Sequence, residues 1–143
     1  MFAPSQDQVR RFFCEAWAKH EAGQVLTPLE LQATDWAAQH PEYHTDLSDA
    51  ESAVKAVYAV EGGRTNPFLH LSMHLSITEQ VSIDQPPGIR AAVQRLAQRR
   101  ASLHDAHHEV MEALGEMVWN SQRSGLPFDG PAYIDRVLTL ASR

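Results

Sequence analysis

The stretch NPFLHLSMHLSITEQ, residues 66–80, decides the fold of this chain. Seven of its fifteen residues are apolar, and with the period of an α-helix the polar residues Ser72, Ser76, Glu79 and Gln80 share one arc of the helix surface. With a turn of ~100° per residue, His70 and His74 fall in the middle of the apolar face and not at its edge. The pattern therefore predicts a helix over residues 66–83 whose buried face carries two histidines.

Two histidines four residues apart on one helical face have two interpretations. Their β-carbons are ~5–6 Å apart, so both imidazoles can reach one ion. A buried histidine without a metal is ordinarily a neutral core residue hydrogen-bonded to a carbonyl, hydroxyl or carboxylate, because an unsatisfied polar group is costly to bury. Two such residues double that demand, and a shared ion would satisfy both. For His70 and His74 considered alone, both interpretations stay open.

A second segment, LHDAHHEVMEALGEMVW at residues 103–119, offers further ligands. His104, His108 and Glu112 follow one another at four-residue intervals along the flank of a helix predicted over residues 102–124. A flank position suits side chains that reach into the seam between two helices, where metal sites of helical bundles are built. The alternative is that these residues form a solvated polar face.

Taken together, the two segments supply nitrogen and oxygen donors suited to a first-row transition metal. Iron and zinc are the first candidates, with nickel and manganese as alternatives. Two histidines and a carboxylate would suit non-haem iron(II), and three histidines with a water would suit zinc; the spacing does not choose between them. The predicted metal ligands are His70, His74, His104, His108 and Glu112.

The remaining histidines are weaker candidates. His40 and His44, in HPEYH, flank a predicted helix end and could approach the same site, although a loop histidine is more often simply exposed. His20 lies near the end of the first helix, where it favours the helix dipole. His107 is interpreted as a core histidine. None of these four belongs to the predicted ligand set.

The rest of the chain also divides into helices. Capping-box patterns at residues 5–8 and 27–30 begin two of them, and EGGR at residues 61–64 is expected to be a turn. No strand is predicted in the sequence. We therefore predict an all-α protein, a helical bundle of five to seven helices in a single domain over residues 1–143.

Composition limits the function classes. The chain of 143 residues has a formal net charge of −6, which argues against non-specific binding of nucleic acid. The N-terminal MFAPSQDQ lacks the features of a signal peptide, and no apolar run approaches the ~20 residues that span a bilayer. The single cysteine, Cys14, excludes an internal disulfide and fits a reducing cytoplasm. We expect a cytoplasmic protein with neither a membrane nor a nucleic-acid partner.

A metal-free function is the alternative to metal binding. In that case the buried histidines are hydrogen-bonded core residues, and the protein is a helical protein–protein interaction module that uses a surface such as the basic segment 89–100. A protein partner or a homo-oligomer fits either hypothesis. The sequence contains no phosphate-binding loop, dinucleotide fingerprint or nucleophile elbow. If the protein is an enzyme, its metal would activate water or dioxygen, and no substrate is indicated.

Six segments carry a resemblance to a known family: PSQDQVRRFFCEAW, LTPLE, HPEYH, TNPFLHLSMHLSITEQ, SIDQPPGIRAA and MEALGEMVW. In this order they resemble the uncharacterised proteobacterial family called domain of unknown function 1841. The resemblance spans nearly the whole chain, and it implies no catalytic residues because that family has no established activity.

A weaker likeness is architectural. The hemerythrin-like and DinB-like helical-bundle metal proteins also place His-x3-His or His-x3-Glu pairs on facing helices. His70 with His74, and His108 with Glu112, match those local patterns. The remaining hemerythrin-like pairs are not evident, which argues against a diiron, oxygen-binding role. A likeness of this kind concerns the fold and does not establish a function.

Overall fold

The computed structural model describes residues 5–58 and 66–143, and these residues form eight α-helices and no strand. The helices are α1 Gln6–Glu21, α2 Pro28–Ala38, α3 His44–Leu47, α4 Ala50–Lys55, α5 Pro67–Ile83, α6 Ile89–Arg100, α7 Leu103–Ser124 and α8 Gly130–Ala141. A 3-10 turn, Pro41–Tyr43, precedes α3. The predicted all-α class is confirmed, with slightly more helices than the predicted five to seven. The turn predicted at residues 61–64 lies outside the described residues.

The two predicted capping boxes explain where α1 and α2 begin. Ser5 Oγ accepts the backbone N–H of Gln8 at 3.1 Å, and the Gln8 side chain accepts the backbone N–H of Ser5 at 2.8 Å. Thr27 and Glu30 repeat this exchange at 3.2 and 2.9 Å, with Pro28 at the first helical position. Each box satisfies two backbone donors that the first turn of a helix leaves unpaired.

Helix α5 is the helix predicted over residues 66–83. Asn66 Oδ1 accepts the backbone N–H groups of Phe68 and Leu69 at 3.0 and 3.2 Å, so its side chain caps the first turn. His74 is fully buried and His70 is half-buried. The apolar pattern of the sequence thus located both the helix and its buried face.

The chain forms two compact units, Met1–Leu75 and Ser76–Arg143, and α5 runs without a break through the boundary. The first unit packs α1, α2, α3, α4 and the first half of α5 around a core rich in aromatic rings. Its buried aromatic residues are Phe13, Trp17, Trp36 and Phe68. The single domain expected over residues 1–143 stays a prediction beside this division.

In the second unit, α6, α7 and α8 pack on one another around aliphatic side chains. Its fully buried aliphatic residues include Ile89, Val93, Leu96, Val110 and Val137. Helix α7 ends at Gly125, whose φ of +74° belongs to the left-handed region that glycine adopts without strain. In the described part of the chain, no helix combines the length and the apolar character needed to cross a membrane.

Candidate metal centre

Three histidine rings meet in the first unit, and we call them the histidine cluster: His40, His70 and His74. His40 follows α2, and the other two lie one turn apart on α5. The ring centroids are 4.9 Å apart in each of the three pairs. His40 and His74 are 2% and 0% exposed. The cluster is therefore a triangle of imidazoles in which two rings are shielded from water.

The orientation of His40 follows from its hydrogen bond to the backbone. Nδ1 of His40 lies 2.7 Å from the carbonyl oxygen of Trp36, one turn earlier in the chain. A carbonyl oxygen can only accept, so this nitrogen carries a proton and donates it. In the neutral ring Nε2 then bears the lone pair, and it lies 3.1 Å from Nε2 of His70. This arrangement, with one ring nitrogen fixed by a carbonyl and the other presented to a cluster, is the one metal-binding histidines adopt.

Local sequence explains why His40 leaves the helix at this point. Pro41 disfavours helical backbone at the residue before it, and His40 has φ −126° and ψ 67°. The backbone of His40 therefore leaves the helical conformation while its ring still reaches back to the Trp36 carbonyl. The proline thus ends α2 and sets the position from which His40 enters the cluster.

Aromatic side chains form the walls of the histidine cluster. Trp36 stacks on His74 with ring centroids 4.0 Å apart and planes inclined by 15°. Tyr43 stacks on His40 with centroids 5.2 Å apart and planes inclined by 2°. Burial raises the pKa of Tyr43, with smaller contributions from Glu42 and Asp46, so its hydroxyl stays protonated at neutral pH. The walls hold the imidazoles in fixed orientations and lower the polarity around them.

His44 and His20 pack around Trp17. The His44 ring lies 4.3 Å from the Trp17 ring, and its Nε2 donates to the carbonyl of Ala37 at 2.9 Å. His20 stacks on Trp17 at 5.0 Å. The Ala37 carbonyl, in the last turn of α2, also accepts the backbone N–H of His40 at 3.0 Å. The His44 ring is therefore held by Trp17 and by the end of α2.

In the second unit, three histidines lie within five residues of α7. The rings of His104 and His108 are 4.4 Å apart, as expected for one helical turn. His107 is buried, and this burial, together with the charges of His104 and His108, lowers its pKa to about 4. It is therefore neutral at pH 7, in agreement with its interpretation as a core histidine. Glu112, one turn beyond His108, is exposed.

Among the described residues, four histidines could hold a metal ion together, and each offers one ring nitrogen: His40, His74, His104 and His108. Three of them belong to the ligand set predicted from the sequence. Imidazole nitrogen suits zinc, iron, nickel and copper, and it needs only to be neutral to bind them.

His40 lies in the histidine cluster but is absent from the ligand set predicted from the sequence. Its only local signal is the motif HPEYH, and its approach to His70 joins positions 30 residues apart. His70 and Glu112 belong to the predicted ligand set but not to this four-histidine group. His70 instead lies beside His40 in the cluster. The complete ligand set stays a prediction.

The basic helix α6 uses much of its charge inside the second unit. Arg90 donates to the carbonyls of Val81 and Ser82 at 2.8 and 2.7 Å, at the end of α5. Arg100 forms a two-pronged pair with Glu109 at 2.6 and 2.9 Å. These arginines fix α6 to its neighbours, which leaves less of the basic surface that the alternative hypothesis requires.

Comparison with known proteins gives one match. A family model described as Domain of unknown function (DUF1841) matches residues 5–139. No curated protein and no solved structure matches the chain. The family match confirms the resemblance carried by the six sequence segments, and it assigns no chemistry to the histidines.

Proposed function

This chain belongs to the family described as Domain of unknown function (DUF1841), and we propose that it binds a transition-metal ion through histidine side chains. The observation that carries the proposal is the histidine cluster, in which three imidazoles converge and His40 and His74 are buried. One ion can bind several imidazole nitrogens that converge in this way.

The nitrogen positions support this proposal. Two nitrogens bound to one tetrahedral ion at ~2.1 Å lie about 3.4 Å apart. The Nε2 atoms of His40 and His70 are 3.1 Å apart, close to that spacing. The Trp36 carbonyl holds the other nitrogen of His40, and such an outer partner sets the tautomer and increases the basicity of a metal ligand.

The competing interpretation is a direct hydrogen bond. If Nε2 of His70 carries a proton, it donates to Nε2 of His40, and the same 3.1 Å distance arises without an ion. The cluster is then a structural feature of the first unit, as the interaction-module hypothesis requires. The two interpretations differ in the protonation of His70 and in metal content, and metal content can be measured directly.

For the ligand set we propose His40, His70 and His74, the three rings of the histidine cluster. His104, His108 and Glu112 are the further candidates that the sequence provides. Iron or zinc is proposed first because imidazole suits both; nickel is an alternative, and manganese, which favours oxygen ligands, fits least well. Activation of water or dioxygen would require an open coordination position. The lone Cys14 supports a reducing, cytoplasmic location.

Elemental analysis of protein produced without a histidine tag tests the proposal. We expect about one iron or zinc per chain, since the cluster offers one convergence point for nitrogen ligands. Chelation by EDTA should lower the midpoint of thermal unfolding, because a ligand that binds only the folded state stabilises it. The variant His74→Ala should lose the metal, whereas Gln98→Ala, at an exposed position, should retain it.

His74→Ala removes a buried ring and could unfold the first unit, so the EDTA experiment is the independent test. A folded, metal-free wild-type protein that takes up neither iron(II) nor zinc(II), and whose unfolding midpoint does not respond to EDTA, would disprove the proposal. That result would leave the direct hydrogen bond between His40 and His70 as the explanation of the cluster.

A further inference from the structure

A cavity of about 250 Å³ lies in the first unit. It is bounded by α1 and by the side of α5 opposite to His70 and His74, as the helical spacing of Phe68, Leu69 and Ser72 requires. Small-molecule sites commonly measure ~300–1,000 Å³, so this cavity suits a ligand of a few heavy atoms. It is separate from the histidine cluster and does not depend on the proposed metal.

A buried cation lines this cavity. Arg10 is 8% exposed, and its guanidinium lies 5.4 Å from the ring centroid of Tyr58 and 5.6 Å from that of Phe68. In the described part of the chain, no acidic side chain forms an ion pair with Arg10. A buried charge is costly unless an opposite charge or hydrogen bonds offset it. The cavity therefore has room for an anion beside a cation that lacks one.

The hydrogen bonds of Arg10 determine which edge of the guanidinium remains available. Nη1 donates to the carbonyls of Ala53 and Ala56, each at 2.8 Å, which uses both of its hydrogens. Nε and Nη2 make no hydrogen bond to the described residues. Their N–H groups lie side by side on one edge of the planar group, and this edge matches the two oxygens of a carboxylate.

We propose that the cavity binds a small organic carboxylate. The carboxylate group pairs with Nε and Nη2 of Arg10, and a short hydrocarbon tail packs on Val9, Phe68 and Leu69. Gln6 and Ser72 also line the cavity and supply polar groups near the ligand. The apolar lining selects a short-chain acid over a fully hydrated anion such as phosphate, because hydrocarbon contacts stabilise only a ligand with a tail.

Binding is tested with sodium butyrate, with butyramide as its uncharged counterpart and with inorganic phosphate. Butyrate should raise the thermal unfolding midpoint of the full chain in a saturable way, relative to sodium chloride at equal ionic strength. Butyramide and phosphate should not. Isothermal titration calorimetry should give a single butyrate site. Absence of saturation with butyrate, or an equal shift with butyramide or phosphate, would overturn the proposal.

A pair of matched variants locates the site. Leu69 lines the cavity and is 60% exposed, whereas Leu29 lies outside it, is 53% exposed and also occupies the first turn of a helix. Leu69→Asp places a carboxylate at the cavity and should weaken butyrate binding about tenfold or more, by repelling the ligand or by occupying Arg10 itself. Leu29→Asp should bind butyrate as the wild type does. Equal affinity of the two variants would place the ligand elsewhere and refute the assignment.

Discussion

The two units differ in what they bury. Among its described residues, the first unit buries five polar or charged side chains: Arg10, Glu30, Thr34, His40 and His74. In the second unit only His107 of the described residues belongs to this class, and apart from the buried ring of Tyr133 the core there is mainly aliphatic. An aliphatic core contributes stability without directional demands, whereas each buried polar group requires a partner in a defined place. The difference teaches that the binding chemistry should be sought first around the buried polar groups of the first unit.

The largest expected effect tests the stabilising role of the second unit. Leu96 is fully buried in α6, and Leu96→Ala should lower the free energy of unfolding by about 2–5 kcal/mol through lost burial and a cavity. Urea denaturation measures the change, with Leu126→Ala at a 67% exposed position as the control. The folded variant should keep the metal content of the wild type. Loss of metal from a folded Leu96→Ala protein would show that metal binding also depends on the core of the second unit, which would contradict this comparison.

His107 is the exception within the second unit, and it predicts a pH dependence. Its pKa is about 4 in the folded chain against 6.5 for an ordinary histidine, so the unfolded chain binds more protons between these values. The free energy of unfolding should therefore fall as the pH decreases from 6.5 to 4, by about 3 kcal/mol from this group. Above pH 6.5 the contribution is constant.

Urea denaturation at several pH values measures this dependence. His107→Leu should flatten the slope between pH 6.5 and 4, because the variant has no group to protonate there. Gln98→Leu, which adds a leucine at an exposed position, should keep the slope of the wild type. An unchanged slope in His107→Leu would show that other groups cause the acid sensitivity.

The next effect separates stability from binding in the first unit. His40→Phe keeps an aromatic ring but removes both nitrogens, so the Trp36 carbonyl loses one donor and keeps the backbone N–H of Gln39, at a cost of about 0.5–1.5 kcal/mol. The folded variant should also lose metal in elemental analysis. His44→Phe, in the same turn, removes the donor to Ala37 but should keep the metal. Metal loss in both variants, or in neither, would show that His40 and His44 do not differ in metal binding.

The smallest effect should be the same in both units. Ser5 accepts a backbone N–H at the start of α1, and Ser102 does so at the start of α7, at 3.1 and 3.0 Å. Replacing either by alanine should lower the free energy of unfolding by about 1 kcal/mol. Urea denaturation of the two variants should give similar losses. A much larger loss at one serine would show that its cap is coupled to the core of that unit.

Prediction from the sequence succeeded where the signals were local. The caps of α1 and α2 and the buried face of α5 each depend on residues within a few positions of one another. The short helices α3 and α4 were not resolved, because four and six residues are too few to establish a period. This is why the described residues form eight helices where five to seven were expected.

In the candidate site, too, some placements follow from local sequence and others depend on tertiary packing. The placement of His70 with His74, and of His104 with His108, follows from helical geometry and is visible in the sequence alone. From the sequence, His40 is only a residue that could approach the site, because its contact with His70 joins segments 30 residues apart. The Arg10 cavity was also missed, since it joins the start of α1 to a helix that begins some sixty residues later.

The sequence by itself determined the all-α class, the starts of α1 and α2 and the presence of histidines on a buried face. These features depend on backbone hydrogen bonding and side-chain periodicity, which act over one or two helical turns. Only the tertiary structure decided that His40 joins His70 and His74, and that Arg10 is buried beside a cavity. Such contacts depend on the packing of side chains from distant segments, and no local pattern specifies that packing.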